Sequence, residues 1–427
     1  MSKSKEGIYL ERVQDGRKIR GGGKIIGKGA YLNEFRDLLY PIASFLNENH
    51  TYSALTLPSN IPELEKEKYQ LLSYEFPEGP LFSEGWTDLA HSYLKGWFIN
   101  RGVIESKYPG FSDCISELLN RLNEECSLVT IPYEIALNGS LDVNSVKVVE
   151  TTDLGLVLQG TQQLPADALA VKELLTMVGN EEKAALIILP LNSEGLSLEV
   201  EDIDKGISAH FNHVTVKWNQ VLLQQSSEKI TQLFAVPLAT TYPEYTGIVT
   251  LFHQLEWVTG LAFLLAEETG ESEMLHIQER LGELIQQIDI MKAFLHQSEL
   301  KSKRVAEVLV PQYEALRTVK HASVSFFGRA IDILQRVGGS RLLHHVHVSG
   351  TQGKEKDIYT LIQTYFDSPA ASRRRLYYSY FSGDPELVSA EYYKSYSVES
   401  VKGRLEDFWE YHETGNMHTA IPKGEKI

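Results

Sequence analysis

Cysteine is nearly absent: Cys114 and Cys126 are the only two in 427 residues. Their scarcity excludes a disulfide-stapled scaffold and a paired-cysteine zinc site, and it suits a reducing compartment. One bridge between the two remains an open alternative. Positive charge is also short, with 41 Lys and Arg against 57 Asp and Glu and a formal net charge of −16 spread along the chain. Neither nucleic acid nor an anionic membrane surface is therefore an expected partner. No run approaches the ~20 apolar residues of a membrane span. The opening Met1-Ser-Lys-Ser-Lys-Glu6 lacks the apolar core of a signal peptide, so the expectation is a soluble, cytoplasmic protein. Nucleotide-loop signatures are missing too. Gly21-Gly22-Gly23 has neither the G-x-G-x-x-G spacing nor a Gly-Lys-Ser/Thr ending, which makes it a hairpin or loop and leaves the chain without a nicotinamide fingerprint. Internal repeats and low-complexity linkers are not seen.

What is present divides into three stretches, in line with the two or three domains expected from length. Residues 1–140 read as mostly helical: Leu89, Tyr93, Leu94 and Trp97 recur at helical spacing, and a further helix is predicted from Asp113 to Glu125. Residues 141–224 change to short β-type runs, 143–150, 155–160, 185–190, 196–200 and 211–216, separated by turn-forming clusters. Residues 225–427 return to a 3.6 period, with Phe252, Leu255, Val258, Leu261 and Leu265 on one helix and Leu281, Leu284, Ile285 and Ile288 on the next. The fold class is mainly α with a central β-barrel or sandwich.

Several segments, in order, carry a resemblance. They are Tyr9-Leu-Glu-Arg-Val-Gln-Asp-Gly-Arg17, Val148-Val-Glu-Thr-Thr-Asp-Leu-Gly-Leu-Val-Leu-Gln-Gly-Thr161, Leu189-Pro-Leu-Asn-Ser-Glu-Gly195, Val337-Gly-Gly-Ser340 and Arg375-Leu-Tyr-Tyr-Ser-Tyr-Phe-Ser-Gly-Asp-Pro385. With Ser208-Ala-His-Phe-Asn-His-Val-Thr-Val-Lys-Trp-Asn-Gln-Val221 they resemble the 4-hydroxyphenylacetate 3-hydroxylase family, reduced-flavin-dependent oxygenases on the acyl-CoA dehydrogenase fold. The resemblance implies FAD, received as FADH2 from a separate flavin reductase, and a homotetramer or homodimer. It places Ser140, Thr161, Gly338, Gly339, Ser340 and Arg375 at the cofactor. The substrate side departs from the family pattern. Asn212-His213 replace two Asp, Arg101 is followed by Glu105 in place of a Tyr, and 127–140 lacks the family's His.

The candidate catalytic residues are Arg101, Glu105 and His213. Arg101 suits a bidentate grip on a carboxylate or phenolate, or an ion pair with Glu105 one turn later. Glu105 is a candidate base or a solvated helix residue. Strand alternation puts His210 and His213 on opposite faces; His213, if inward, suits a proton carrier and otherwise is structural. On a strand, His345 and His347 would share a face, but with no carboxylate or Cys nearby no metal is assigned. Arg373-Arg374-Arg375 suits a pyrophosphate or a subunit interface. Three readings follow: the oxygenase component of a two-component monooxygenase acting on a small aromatic or carrier-bound substrate, a flavin oxidase or dehydrogenase, and a subunit that has lost its chemistry.

Overall fold

The computed structural model describes residues 5–48, 56–76, 84–125, 127–133, 145–202, 206–235, 239, 241–348 and scattered residues beyond. The chain forms two compact units, Met1–Ser382 and Gly383–Ile427. Described residues of the second, 389–390, 392–394, 402–403 and 405–406, are helical.

The first unit opens with helix α1 (Lys5–Val13), hairpin β1 (Lys18–Gly21) and β2 (Lys24–Ile26), then α2 (Lys28–Glu34), α3 (Arg36–Glu48), α4 (Ile61–Glu67), α5 (Leu72–Glu75), α6 (Trp86–Ile99), α7 (Arg101–Lys107) and α8 (Phe111–Glu125). Gly22 and Gly23, at φ +55° and +77°, make the hairpin turn. The strands β3 (Val129–Thr130), β4 (Val146–Thr152), β5 (Gly155–Leu164), β6 (Glu173–Gly179), β7 (Ala184–Pro190), β8 (Leu196–Asp202), β9 (Gly206–Lys217) and β10 (Val221–Gln225) follow. Next come α9 (Ser227–Phe234), the long antiparallel pair α10 (Tyr242–Glu268) and α11 (Leu275–Leu300), hairpin β11 (Lys303–Val305) and β12 (Val308–Val310), α12 (Tyr313–Ser323) and α13 (Phe326–Val348).

Two sheets face each other. One has six strands in the order β2-β1-β8-β9-β5-β4 and the other four in the order β10-β7-β6-β3. β1 runs parallel to β8, so the opening segment is not wholly helical and supplies two strands to the sheet. Alternate residues divide the four-stranded sheet between two cores. Leu175, Met177, Leu186 and Ile188 join the helical core. Leu174, Val178, Ile187 and Leu189 join the core shared with the six-stranded sheet. A strand buried on both faces shows no polar alternation, which is why all of β6 is buried.

β9 contains a bulge. Its register against β5 shifts between Asn212 and Val214, leaving His213 unpaired at φ +54° and exposed. Ala209 and Phe211 are buried before the bulge and Val214 and Val216 after it. Simple alternation is therefore broken at His213, which is not turned inward. The histidines of 344–347 lie on helix α13, and the shared strand face expected for His345 and His347 is not formed.

Candidate active site

Helix α6 organises the interior. Every residue from Trp86 to Ile99 except Phe98 is buried, so the helix presents two stripes to protein. The apolar stripe is Leu89, Tyr93, Leu94 and Trp97. The other, at the same helical spacing, is polar: Thr87, Asp88, His91, Ser92 and Lys95. Each of these side chains needs a partner, because an unpaired buried polar group costs roughly 1–3 kcal/mol.

At the first turn, the Thr87 and Thr130 hydroxyls donate to opposite oxygens of Asp167 at 2.6 and 2.7 Å, joining α6, β3 and the turn before β6. Burial raises the Asp167 carboxyl to about 7 against these two hydrogen bonds, with Glu84 and Asp88 adding to the rise. Asp88 accepts the Leu72 and Ser73 N–H groups at 3.0 and 2.9 Å, satisfying the start of α5. Burial holds its carboxyl above the usual range despite those bonds. His91 Nε2 faces the Val129 N–H at 3.2 Å. Accepting that donor puts the ring proton on Nδ1. Burial, and then the charge of Lys95, lowers His91 to about 3, so the ring is neutral.

Lys95 pairs with Glu67. Helix α4 delivers Glu67 as its last residue: Asn60 caps the helix by accepting the Glu63 N–H at 3.0 Å, and Pro62 lies in the first turn. Burial raises the Glu67 carboxyl against the pull of Lys95. Beyond the pair, Tyr245 donates to Glu299 at 2.7 Å, and Lys68 Nζ lies 2.9 Å from both oxygens of the fully buried Glu299. Tyr242 donates to the Leu309 carbonyl at 2.6 Å. Glu67, Lys95, His91, Asp88 and Tyr245 are among the walls of a cavity of about 30 Å³, room for one or two waters.

The residues singled out from the sequence lie elsewhere. Arg101 donates to the Phe98 carbonyl at 2.7 Å and stacks over the Phe98 ring at 4.0 Å. No ion pair joins it to Glu105 among the described residues. Instead the Glu105 carboxylate accepts the Gly110 and Ser112 N–H groups, both at 2.8 Å, and caps α8. Those bonds hold its pKa below the ordinary value. Neither residue lines the cavity, and a carboxylate so placed is a poor base. Thr161 meets His210 Nδ1 at 3.1 Å across β5 and β9, and His210 Nε2 meets Glu199 at 2.9 Å. Gly338 and Gly339 form a break in α13, where Gly339 has φ +51° and ψ −140°. Arg375 pairs with Asp332 of the same helix at 3.0 Å. Ser140 and the side chain of Ser340 lie outside the described residues. The structure therefore associates Arg375 with the helix that carries the two glycines and does not bring Arg101, Glu105 and His213 together.

The model of the 4-hydroxyphenylacetate 3-hydroxylase C-terminal family matches residues 231–366, from α9 into the chain beyond α13. Over 304 residues, 62% of the chain, the sequence is 24% identical to the 4-hydroxyphenylacetate 3-monooxygenase oxygenase component of Thermus thermophilus. Residues 231–366 carry the C-terminal signature of the 4-hydroxyphenylacetate 3-hydroxylase family, and the chain resembles that family as a divergent relative. A probable 4-hydroxyphenylacetate 3-monooxygenase of Bacillus subtilis is 22% identical over 62% of the chain. Each match spans 63% of the relative's own length. A crystal structure of the oxygenase component of 4-hydroxyphenylacetate 3-monooxygenase superposes with TM-score 0.75, 18% identity, and 96% and 99% of the two chains covered. An oxygen-tolerant archaeal 4-hydroxybutyryl-CoA dehydratase from N. maritimus gives 0.73 at 11% identity, covering 96% and 95%. These superpositions bear on the fold, which is acyl-CoA dehydrogenase-like.

Proposed function

We propose that this chain is a divergent member of the 4-hydroxyphenylacetate 3-hydroxylase family and the oxygenase component of a two-component flavin monooxygenase, hydroxylating a small aromatic or carrier-bound substrate in the cytoplasm with FADH2 supplied by a separate reductase. The observation that carries the reading is the family match over 231–366, a segment whose helix α10 supplies Tyr242, Tyr245 and Thr246 to the buried polar cavity. A crystal structure of the related oxygenase component contains FAD and 4-hydroxyphenylacetate. In the present chain the break in α13 suits such a group: no described atom lies within 4 Å of where a Gly339 side chain would begin, so the backbone there is open. Gly338, Gly339 and Arg375 would hold FAD, Arg375 as the cation for its pyrophosphate. Reduced flavin supplies activation of dioxygen and delivery of one oxygen atom to the substrate. A second copy of the chain would cover exposed Leu264, Leu275 and Ile285 in a homotetramer or homodimer.

The testing experiment is anaerobic titration of the purified protein with reduced FAD, followed by rapid mixing with oxygen and a substrate screen with a reductase present. Saturable binding of reduced FAD and reductase-dependent hydroxylation are expected. Absence of FAD binding overturns the reading, and oxidation of substrate without oxygen insertion replaces it with an oxidase or dehydrogenase.

A further inference from the structure

The Glu67 and Lys95 pair is incomplete as it stands. Glu67 is 6% exposed, and its Oε2 has no hydrogen-bond partner among the described residues. Lys95 has three donors, and its identified hydrogen bond is to Glu67 Oε1. His91, neutral with its proton on Nδ1, belongs to the same wall. The hydroxyls of Tyr242 and Tyr245 are already committed to Leu309 and Glu299.

The chemistry of this pair selects its ligand. A carboxylate would be repelled by Glu67, and an ammonium by Lys95. A group that donates one hydrogen bond and can then become an anion satisfies both, which describes an acidic hydroxyl such as that of a phenol. Size agrees for the reacting group: about 30 Å³ admits a hydroxyl where one or two waters fit.

We propose, resting on the monooxygenase reading, that Glu67 and Lys95 are the acid-base pair of this chain for a phenolic substrate. The phenol O–H bond breaks, its proton goes to Glu67 Oε2, and the phenolate oxygen takes the place of the carboxylate beside Lys95 Nζ. No electrons are transferred. The step exchanges one anion for another next to the same cation, so the buried charge is unchanged and no new desolvation penalty arises. A phenolate ring is the more electron-rich partner for an incoming oxygen. Burial, which raises the Glu67 carboxyl, favours the proton transfer. The other titratable groups facing the pair are Asp88 and His91 on α6 and Tyr242 and Tyr245 on α10, with Glu299 of α11 behind Tyr245 and paired to Lys68.

The probe is 4-nitrophenol, whose phenolate is coloured, added to flavin-free full-length protein at a pH where the free probe is neutral. Saturable binding with appearance of the phenolate band is expected. Glu67→Gln should retain binding and leave the probe uncoloured, and Lys95→Met should weaken binding by about tenfold or more. A Glu67→Leu/Lys95→Met double variant, which leaves no orphaned charge, keeps the comparison readable if Lys95→Met unfolds; it should fold, as judged by circular dichroism, and bind the probe without colour. A bound probe that stays uncoloured in the wild-type protein, or colour undiminished in Glu67→Gln, overturns the proposal, as does absence of saturable probe binding. Titration of the same preparations with reduced FAD separates the two failures: intact flavin binding with a negative probe result sinks only the pair, and loss of flavin binding sinks the monooxygenase reading as well.

Discussion

Asp167 and His91 are both fully buried, yet their effects on stability run in opposite directions with pH. Between 3.8 and about 7 the folded chain keeps a proton on Asp167 that the unfolded chain releases, so stability falls as pH rises through that window. Between about 3 and 6.5 the unfolded chain protonates His91 while the folded chain does not, so stability rises with pH there. Each arm is on the order of 4 kcal/mol at full extent, and where they overlap they offset one another. Urea unfolding of Asp167→Asn from pH 4 to 7 should therefore show a steeper rise with pH than the parent, and His91→Gln a steeper fall. Parallel curves for parent and variants would refute this. At Glu105 the expected result is modest: Glu105→Ala should lower thermal stability slightly, through loss of the α8 cap, and leave flavin affinity unchanged in the titration described above. The sequence reading favoured Arg101, Glu105 and His213 because they sat near family motifs. Nothing in a string of letters distinguishes a carboxylate that caps the next helix from one that faces a cavity.

Elements were legible where burial is one-sided. The long helices α10 and α11 and the strands β4, β5 and β8 stood out because apolar residues recur at the helical or strand period, whereas β7, buried on both faces, was read from its continuous apolar run. Helix α6 was half read: Leu89, Tyr93, Leu94 and Trp97 gave the helix, but Asp88, His91 and Lys95 repeat at the same spacing and were given no role. The recoverable signal is a helix whose polar residues are themselves periodic between Trp86 and Trp97. β6 was missed because, covered on both sides, it has no alternation to detect, and Glu173 and Thr176 interrupt the apolar run that revealed β7. The β9 bulge escaped because one extra residue shifts the phase of everything after it. Gly195, at φ +86°, faces that bulge, and a side chain there would start 2.5 Å from the Asn212 carbonyl oxygen. Gly195→Ala should cost about 1–3 kcal/mol, seen as a lower urea midpoint, and should perturb the environment of His213 in NMR spectra.

For the molecule as a whole, the net charge of −16 sets up self-repulsion that added salt screens. Melting temperature should rise with sodium chloride between low and physiological ionic strength; a flat or falling curve would mean that local ion pairs outweigh the global field. The order helical, β, helical was readable from the change of period alone, whereas the entry of β1 into the sheet beside β8 was not, since pairing across so much chain leaves no local trace. The same long reach governs the cavity. Lys68 and Glu299 meet across 231 positions of sequence, and Tyr242 is tied to the hairpin residue Leu309. During synthesis, α4 and α6 leave the ribosome well before α11 exists, so Tyr245 and Lys68 must wait for Glu299. The pocket is thus braced late in folding, and a chain cut short before residue 299 would carry every wall of the cavity but lack Glu299, the carboxylate that holds Tyr245 and Lys68 in place.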